Sequence, residues 1–522
     1  MPLALGVDIG STNTKVVLVD VPDPSATDRA PRDVASLSAP TPHEARALVA
    51  VVARLVRAVL TDSPEPPFAV GIASMAETGV PLAADGEPLS HLLRWDGHGA
   101  GEDADALARV HGRQALFTAT GVRPSAKVPL ATWARLRRTE PDLHRRMASW
   151  AGAADVVALA LTGELVTDHT LAGRTMAYRL PDEGSPLAGT FDPALLDIVG
   201  LRPGQLPRVA AADAVAARVG LGSGPGSAWG DVVRGLADVL PQGTPVVVAG
   251  HDHAVGCWAA GTRAPGDRAD SVGTAEAVLT ILDHAPDPAA VAAAGMSWVR
   301  PVAGRHDALL AGTSSAGAML DWVRGRLGLD SLDEHLTAAL RSLDEDPEPT
   351  GVVVLPYLAG RQTPAPEPGA RVVVEPDADG VRLVRAVLEG ISLQARWMID
   401  AQRDLAGTTA GAGAAHASAD PTGTRPGRGA LAVLGAALTV PAWAATKRRV
   451  MPEPLRWVDH PQPVATGAAV LALVRSGALG DPVEQLFDAP SLAATTSMPP
   501  DDRPYERMYA NFVATALRTR QT

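Results

Sequence analysis

The chain has 522 residues, of which 46% are hydrophobic and 20% charged, an ordinary balance for a globular protein too long for a single core. The 58 acidic residues outnumber the 46 basic ones, for a net charge of −12, which argues against a broad nucleic-acid or anionic-membrane surface. The single cysteine, Cys257, excludes an internal disulfide framework and points to a reducing compartment. Asp8 interrupts the opening apolar run too early for a signal peptide, and no apolar run reaches the ~18 residues of a membrane helix. The expected location is cytoplasmic, with no nucleic-acid and no membrane partner.

In chain order, Leu3–Ile9 and Lys15–Asp20 read as two strands around the turn "GSTNT". "HEARALVAVVARLVRAVL" carries apolar residues at helical intervals, and "FAVGIAS" reads as a buried strand. "KVPLATWARLRRTEPDLHRRM" reads as helix, turn, helix, and "DVVALALTGE" as a helix ended near Gly163. "TPVVVAG" is another strand, after which the pattern restarts. "DRADSVGTAEAVLTIL" gives a second polar turn between apolar strands, and "AVLEGISLQARWMIDAQRDL" and "ATGAAVLALVRSG" read as helices. "GLGSGPGSA" (220–228) and "AGTTAGAGAAHASADPTGTRPGRG" (406–429) read as loops. The chain therefore divides into two α/β halves that meet around 240–260.

Three stretches could carry chemistry. In "DIGSTNTK" a strand ends in Asp8, and a turn of small residues leads to Lys15. Free N–H groups and the hydroxyls of Ser11, Thr12 and Thr14 can cradle phosphate oxygens, and Asp8 could hold a hydrated Mg²⁺. The plainer reading is a hairpin in which Gly10 and Asn13 supply positive φ. The segment is not a Walker loop, which needs GxxxxGK[ST] leading into a helix. "DSVGTAEAV" repeats the idea with Gly273 and Thr274, and one such turn in each half suggests a nucleotide polyphosphate held between two domains.

The third stretch is "VVVAGHDHAVGC". His251 and His253 share a face if the strand continues, and Asp252 points oppositely. A Zn²⁺ site would need further ligands, and no HExxH or CxxC pattern supplies them. A lone carboxylate at a strand end suits a general base, and an Asp capping the helix "AVGCWAAG" is compatible with that role. Cys257 reads as a packing residue.

Taken in order, these segments resemble the FGGY family of carbohydrate kinases, within the actin/hexokinase/Hsp70 ATPase superfamily. The resemblance runs over roughly residues 3–475. It rests on "GVDIGSTNTKVVLVD", "GIASMAETGVPL" (71–82), "LTGELVTDHTLAGRTMAY", "AGHDHAVGC", "SVGTAEA", "PYLAGRQTPAPEPGARV", "AVLEGISLQARWMID" and "ATGAAVLAL". It implies an α/β fold of two actin-like (ribonuclease H-like) domains, with mixed sheets flanked by helices and the active site in the interdomain cleft. The expected boundaries are 1–250 for the N-terminal domain, 251–485 for the C-terminal domain and 486–522 for a C-terminal tail or helix.

The resemblance further implies ATP- and Mg²⁺-dependent phosphorylation of a hydroxyl on a small sugar, ketose or polyol. Asp252 would be the base and Asp8 the Mg²⁺-associated carboxylate. Ser11, Thr12, Asn13, Lys15 and Thr274 would meet the phosphates, and Gly317, Asp321 and Gly411 the rest of the nucleotide. Glu77, Trp95, Asp96 and His253 would line the acceptor pocket. The chain departs from the family in three places. Ala76-Glu77 matches neither the Arg-Glu of glycerol kinases nor the Met-His of xylulokinases. Gly97 and His98 stand where relatives usually have Arg. "LAGTTAGAGAAHAS" matches the adenine-site "GGGA" only in part, through Gly411 and Gly413. A non-catalytic sugar- or nucleotide-binding protein on the same fold and a His-metal hydrolase are the competing readings. No oligomeric state is readable, and a homodimer stays open.

Overall fold

The computed structural model describes residues 2–22, 31–63, 65–97, 99–182, 185–221, 228–409, 429–435, 439–479 and 503–518. Most of the 406–429 stretch, with Gly411 and Gly413, lies outside them, as do His98 and 222–227 of the first expected loop. Two compact units emerge. The first comprises the described residues of Met1–Gly261, Val299–Arg305 and Pro461–Ala489, and the second those of Thr262–Trp298, His306–His460 and Pro490–Thr522.

The first unit is built on a mixed sheet. The opening hairpin, Leu3–Ile9 with Asn13–Asp20, is antiparallel and is extended by Arg32–Pro40. On the other side, Leu3–Ile9 pairs in parallel with Ala69–Ser74, which pairs in parallel with Pro245–His251. The hairpin's strands are apolar on both faces because both faces are covered. Leu5, Val7, Ile9, Val16 and Leu18 share a core with Leu48, Val52 and Val56 of the helix Ala45–Leu60. Ala4, Val17, Val19, Ala69 and Val247 pack on the opposite side against Ala465, Ala468 and Ala472 of the helix Pro463–Arg475.

That second helix is "ATGAAVLAL". It falls within 251–485 by sequence, yet it packs on the first unit's sheet. Small residues on both sides let the backbones approach. A Cβ on Gly6 would lie 1.9 Å from the Ala465 carbonyl oxygen, and one on Gly71 1.9 Å from that of Ala468. The strand Arg32–Pro40 was not read from the sequence. Most of its side chains are exposed or half-buried, so it lacks the apolar pattern of its neighbours.

The second unit repeats the plan. Arg268–Val272 pairs antiparallel with Glu276–Leu282, which pairs antiparallel with Asp307–Thr313. Arg268–Val272 also pairs in parallel with Leu431–Gly435, and that strand with Leu455–Trp457. In both units the first strand thus lies between its antiparallel hairpin partner and a later strand that runs parallel to it. The long helix Gly380–Thr409 extends beyond the expected 386–405 and into the stretch read as a loop. Its buried Gln402 receives a hydrogen bond from Thr280 Oγ1 at 2.7 Å and donates to the carbonyls of Val278 and Leu309. The C-terminal helix Arg503–Arg518 is a packed element of this unit, with Tyr505, Met508 and Phe512 buried beside Val353, Leu355 and Tyr357.

Candidate functional site

The opening turn presents its polar groups at the end of the first sheet. Asp8 faces Lys15 in register, with Lys15 Nζ 3.4 Å from Asp8 Oδ2. Asp8 is nearly buried, and its Oδ1 has no hydrogen-bond partner. Burial raises its pKa, and Lys15 opposes the rise. Thr12 and Asn13 are exposed, and Gly10 N–H closes the turn on Asn13 O at 3.0 Å. Neither Gly10 nor Asn13 adopts positive φ, which corrects the hairpin reading: this turn needs no left-handed residue.

The turn is braced from outside. Trp95 Nε1 donates to Ser11 Oγ at 2.9 Å, and Arg94 Nη2 donates to Ser11 O at 2.9 Å. Asp96 holds Arg94 through an ion pair of 2.8 Å. Trp95 and Asp96, expected in the acceptor pocket, thus brace the Gly10–Asn13 turn instead. Thr41 donates its hydroxyl to Gly10 O at 2.8 Å and its N–H to Thr12 O at 2.9 Å. Sequence reasoning missed Arg94 and Thr41, and no local pattern marks either.

Asp252 begins the helix Asp252–Ala259 directly after the strand Pro245–His251. The strand's register shifts between Val248 and Gly250. Gly250 has φ 129°, and a Cβ there would lie 2.3 Å from Thr170 Oγ1, so the position requires glycine. Thr170 Oγ1 accepts from His251 N–H at 2.8 Å and donates to Asp168 Oδ1 at 2.6 Å. Arg475 Nη1 reaches both Asp168 Oδ2 at 3.2 Å and Val248 O at 3.0 Å. Burial would raise Asp168, but His169, Arg475 and the Thr170 hydroxyl hold it well below the usual carboxylate range. A buried chain of charge and hydrogen bonds therefore fixes the backbone on which Asp252 stands. The "TDHT" of the sequence supplies two of its members.

Asp252 Oδ1 accepts from His253 N–H at 2.7 Å, but the helix cap is His251, which makes no side-chain capping bond, so Asp252 is the first helical residue and not the cap the sequence suggested. Its pKa is pushed up to about 7, first by burial and then by the charges of Asp8 and Glu77, against the His253 N–H and Lys15. His251 falls well below its ordinary value through burial, His253, Arg174 and Lys127. His253 falls to about 4 through burial and Arg174. Both imidazoles are therefore neutral at pH 7. Among the described residues, no group of three or more His, Cys, Asp or Glu could hold a metal ion, so nothing supports the His-metal reading. Cys257 is buried, with Sγ 3.3 Å from His253 Nδ1.

Glu77 sits at φ 62°, an uncommon backbone state for a residue with a Cβ. Both of its oxygens are engaged, Oε1 by Arg174 Nη2 at 2.7 Å and Oε2 by Lys127 Nζ at 3.4 Å. Asp252 thus lies within electrostatic range of Asp8, Lys15 and Glu77 in the first unit, with His253 N–H bonded to it.

In the second unit, Thr274 lies exposed in the turn between Val272 and Glu276. The N–H groups of Ala316 and Ala318 bond the Thr274 carbonyl at 3.2 Å, and that of Gly317 bonds Gly273 O at 3.1 Å. A Cβ on Gly317 would lie 2.7 Å from Gly273 O, so glycine lets the turn rest on the start of the helix Ala318–Arg326. Asp321 is exposed on that helix and pairs with Arg324 at 3.1 Å. Beneath the turn, Lys447 Nζ is fully buried and lies 2.5 Å from both Asp270 Oδ2 and Glu276 Oε1.

Two α/β units, each with an antiparallel hairpin that closes on a small polar turn and is flanked by a parallel strand, define the actin-like ATPase fold. A xylulose kinase of Rhodospirillum rubrum superposes with a TM-score of 0.80 at 21% identity, over 99% of this chain and 98% of that one. A gluconate kinase of Lactobacillus acidophilus gives 0.79 at 19%, over 100% and 99%. In sequence, a xylulose kinase of Streptomyces coelicolor is 26% identical over 478 residues, 90% of this chain and 87% of its own. Residues 3–258 match the N-terminal domain of the FGGY family of carbohydrate kinases, and residues 269–476 match its C-terminal domain. The chain belongs to the FGGY family of carbohydrate kinases.

Proposed function

We propose that the protein transfers the γ-phosphoryl group of ATP to a hydroxyl of a small sugar, ketose or polyol, with Asp252 as general base. The observation that carries this reading is Asp252 itself: a carboxylate at a strand end, braced through Thr170, with a pKa raised to about 7. A base of that strength can accept a hydroxyl proton at neutral pH and still ionise readily. The acceptor oxygen forms a bond to phosphorus, its proton passes to Asp252, and the bond to the ADP oxygen breaks. The names of similar proteins, xylulose kinase and gluconate kinase, favour acceptors of this kind.

The residues present fit a hydrated Mg²⁺. Asp8 offers a buried carboxylate oxygen with no partner, and this cation is commonly held by one or two carboxylates plus water and phosphate oxygens. When bound there, Mg²⁺ would offset negative charge on the phosphates. Lys15 and the exposed Thr12 and Asn13 would orient phosphate oxygens in the first unit, and the Thr274 turn would do so in the second. Phosphoryl transfer asks the protein chiefly for such alignment and charge stabilisation. Among the described residues no helix is long and apolar enough to cross a membrane.

The test is ADP release with ATP, Mg²⁺ and a panel of pentuloses, hexuloses, aldonic acids and alditols. Acceptor-dependent ADP release that drops sharply in Asp252→Asn is expected. Nucleotide binding without release for any acceptor would favour the non-catalytic reading instead.

A further inference from the structure

At the base of the Thr274 turn two carboxylates share one cation. Lys447 Nζ, on the helix Pro441–Val450, lies 2.5 Å from Asp270 Oδ2 and 2.5 Å from Glu276 Oε1, and all three side chains are fully buried. Asp270 stands just before the turn and Glu276 just after it, on the paired strands Arg268–Val272 and Glu276–Leu282. The hairpin is held closely on both sides. A Cβ on Gly317 would lie 2.7 Å from Gly273 O, and one on Gly435 2.2 Å from Val272 O. Other charges on the packed elements have partners of their own. Arg268 pairs with Glu453 at 2.9 Å, and Asp307 accepts from Trp298 Nε1 at 2.6 Å. On the helix Gly380–Thr409 the side chain that meets Thr280 is the neutral Gln402, and Arg403 pairs with Asp400 and Glu453. Leu431–Gly435 carries no charged residue, and Arg448 lies over the Trp457 ring.

One ammonium neutralises one carboxylate and not two. With both ionised, an uncompensated negative charge would be buried at the base of a turn that is to receive phosphate oxygens, which is costly twice over. A proton held on one carboxyl removes it. Glu276 Oε2 and Asp270 Oδ1 have no hydrogen-bond partner among the described residues, which leaves room for that proton. Burial raises Glu276 to about 8, with Lys447 opposing and Asp270 adding to the rise. Burial would lower Lys447, but the two carboxylates hold it up at about 12, so it stays charged. We infer that Asp270, Glu276 and Lys447 form a positioning cluster for the nucleotide: the Thr274 turn accepts phosphate while Glu276 keeps its proton, and loss of that proton leaves a buried negative charge that weakens binding. By the same coupling, bound nucleotide makes Glu276 harder to ionise. The cluster acts through the turn and takes no part in the bond changes.

This inference rests on the kinase reading, and its test separates the two. ATP with Mg²⁺ and no acceptor is titrated calorimetrically into the full-length protein from pH 7 to 9, well above the second phosphate pKa of ~6. The wild type should bind about 3- to 10-fold more weakly at pH 9 than at pH 7, since one proton leaving a group of pKa about 8 gives at most about tenfold over that range. Glu276→Gln cannot ionise and should lose this dependence. Asp270→Asn leaves one carboxylate for one ammonium and should lose it as well, which keeps the test intact should the first variant fail to fold. In ADP release, KM for the acceptor should follow the same pH trend in all three proteins, a split that general loosening of the fold would not give. ATP affinity that is flat with pH in the wild type, or that falls equally in wild type and variants, would overturn the inference and leave the kinase reading standing. A pH dependence lost in the variants, with no ADP release for any acceptor, would support the inference while refuting the kinase reading. Failure of ATP to bind at any pH would overturn both.

Discussion

Replacing Asp252 with Asn should slow turnover and at the same time stabilise the fold, and the stabilisation should grow with pH. The ordinary pKa of this carboxyl is 3.8, and the folded protein raises it to about 7. Three pH units correspond to about 4 kcal/mol at 1.36 kcal/mol per unit. The side chain keeps 28% of its surface exposed, so screening by water reduces this to about 1–2 kcal/mol. The sign follows from which state holds the proton. Below pH ~4 both states are protonated and the group costs nothing. Between pH ~4 and ~7 the unfolded chain ionises first, so wild-type stability falls as pH rises. Above ~7 the full cost remains. Asn does not titrate, yet its carbonyl can still accept the His253 N–H. The melting temperature of the variant should therefore exceed that of wild type slightly at pH 5 and by several degrees at pH 8, at roughly 2–4 °C per kcal/mol. Turnover should drop about 10²- to 10⁴-fold. A melting-temperature difference that stays constant from pH 5 to 8, or reverses, would refute the claim that Asp252 is held under strain for ionisation.

Wild-type kcat/KM should climb with pH through about 7, because the base must be ionised to accept a proton, and a pH–rate profile reads this directly. Thr170→Val removes the acceptor for His251 N–H and should cost about 1–3 kcal/mol in chemical denaturation. It should lower kcat more than it raises KM, and Thr170→Ser should restore both. Lys447→Met leaves Asp270 and Glu276 buried without their cation and should destabilise the protein by about 3–5 kcal/mol. That loss should deepen above pH 8, because burial, offset in part by Lys447, already raises Glu276 to about 8, and Glu276→Gln should recover part of it in thermal unfolding.

The local patterns of this chain were enough to place its main elements. Apolar strands flanking "GSTNT" and "VGT" predict two hairpins, and the structure has both. The run "TPVVVAG" predicts the strand that delivers Asp252, and Gly163 ends its helix at φ 77° as expected of a left-handed cap. These features are written within a few residues of each other, through period, turn chemistry and capping. Asp8 and Asp252 were legible for the same reason, since each stands where a strand ends, whereas Glu77 was singled out only through the resemblance to the family.

Tertiary packing alone decided the rest. The helix Pro463–Arg475 belongs with the first sheet because Gly6 and Gly71 admit it, a fit that no local pattern announces. Arg32–Pro40 joins the hairpin as a largely exposed strand whose pairing comes from its backbone. Asp168 meets Arg475 across 307 residues of chain, and Glu77 meets Arg174 across 97. Such ion pairs carry no period and no spacing rule. They arise only once the folded backbone has brought distant charges together, which is why the sequence could point to Asp252 but not to the residues that hold it.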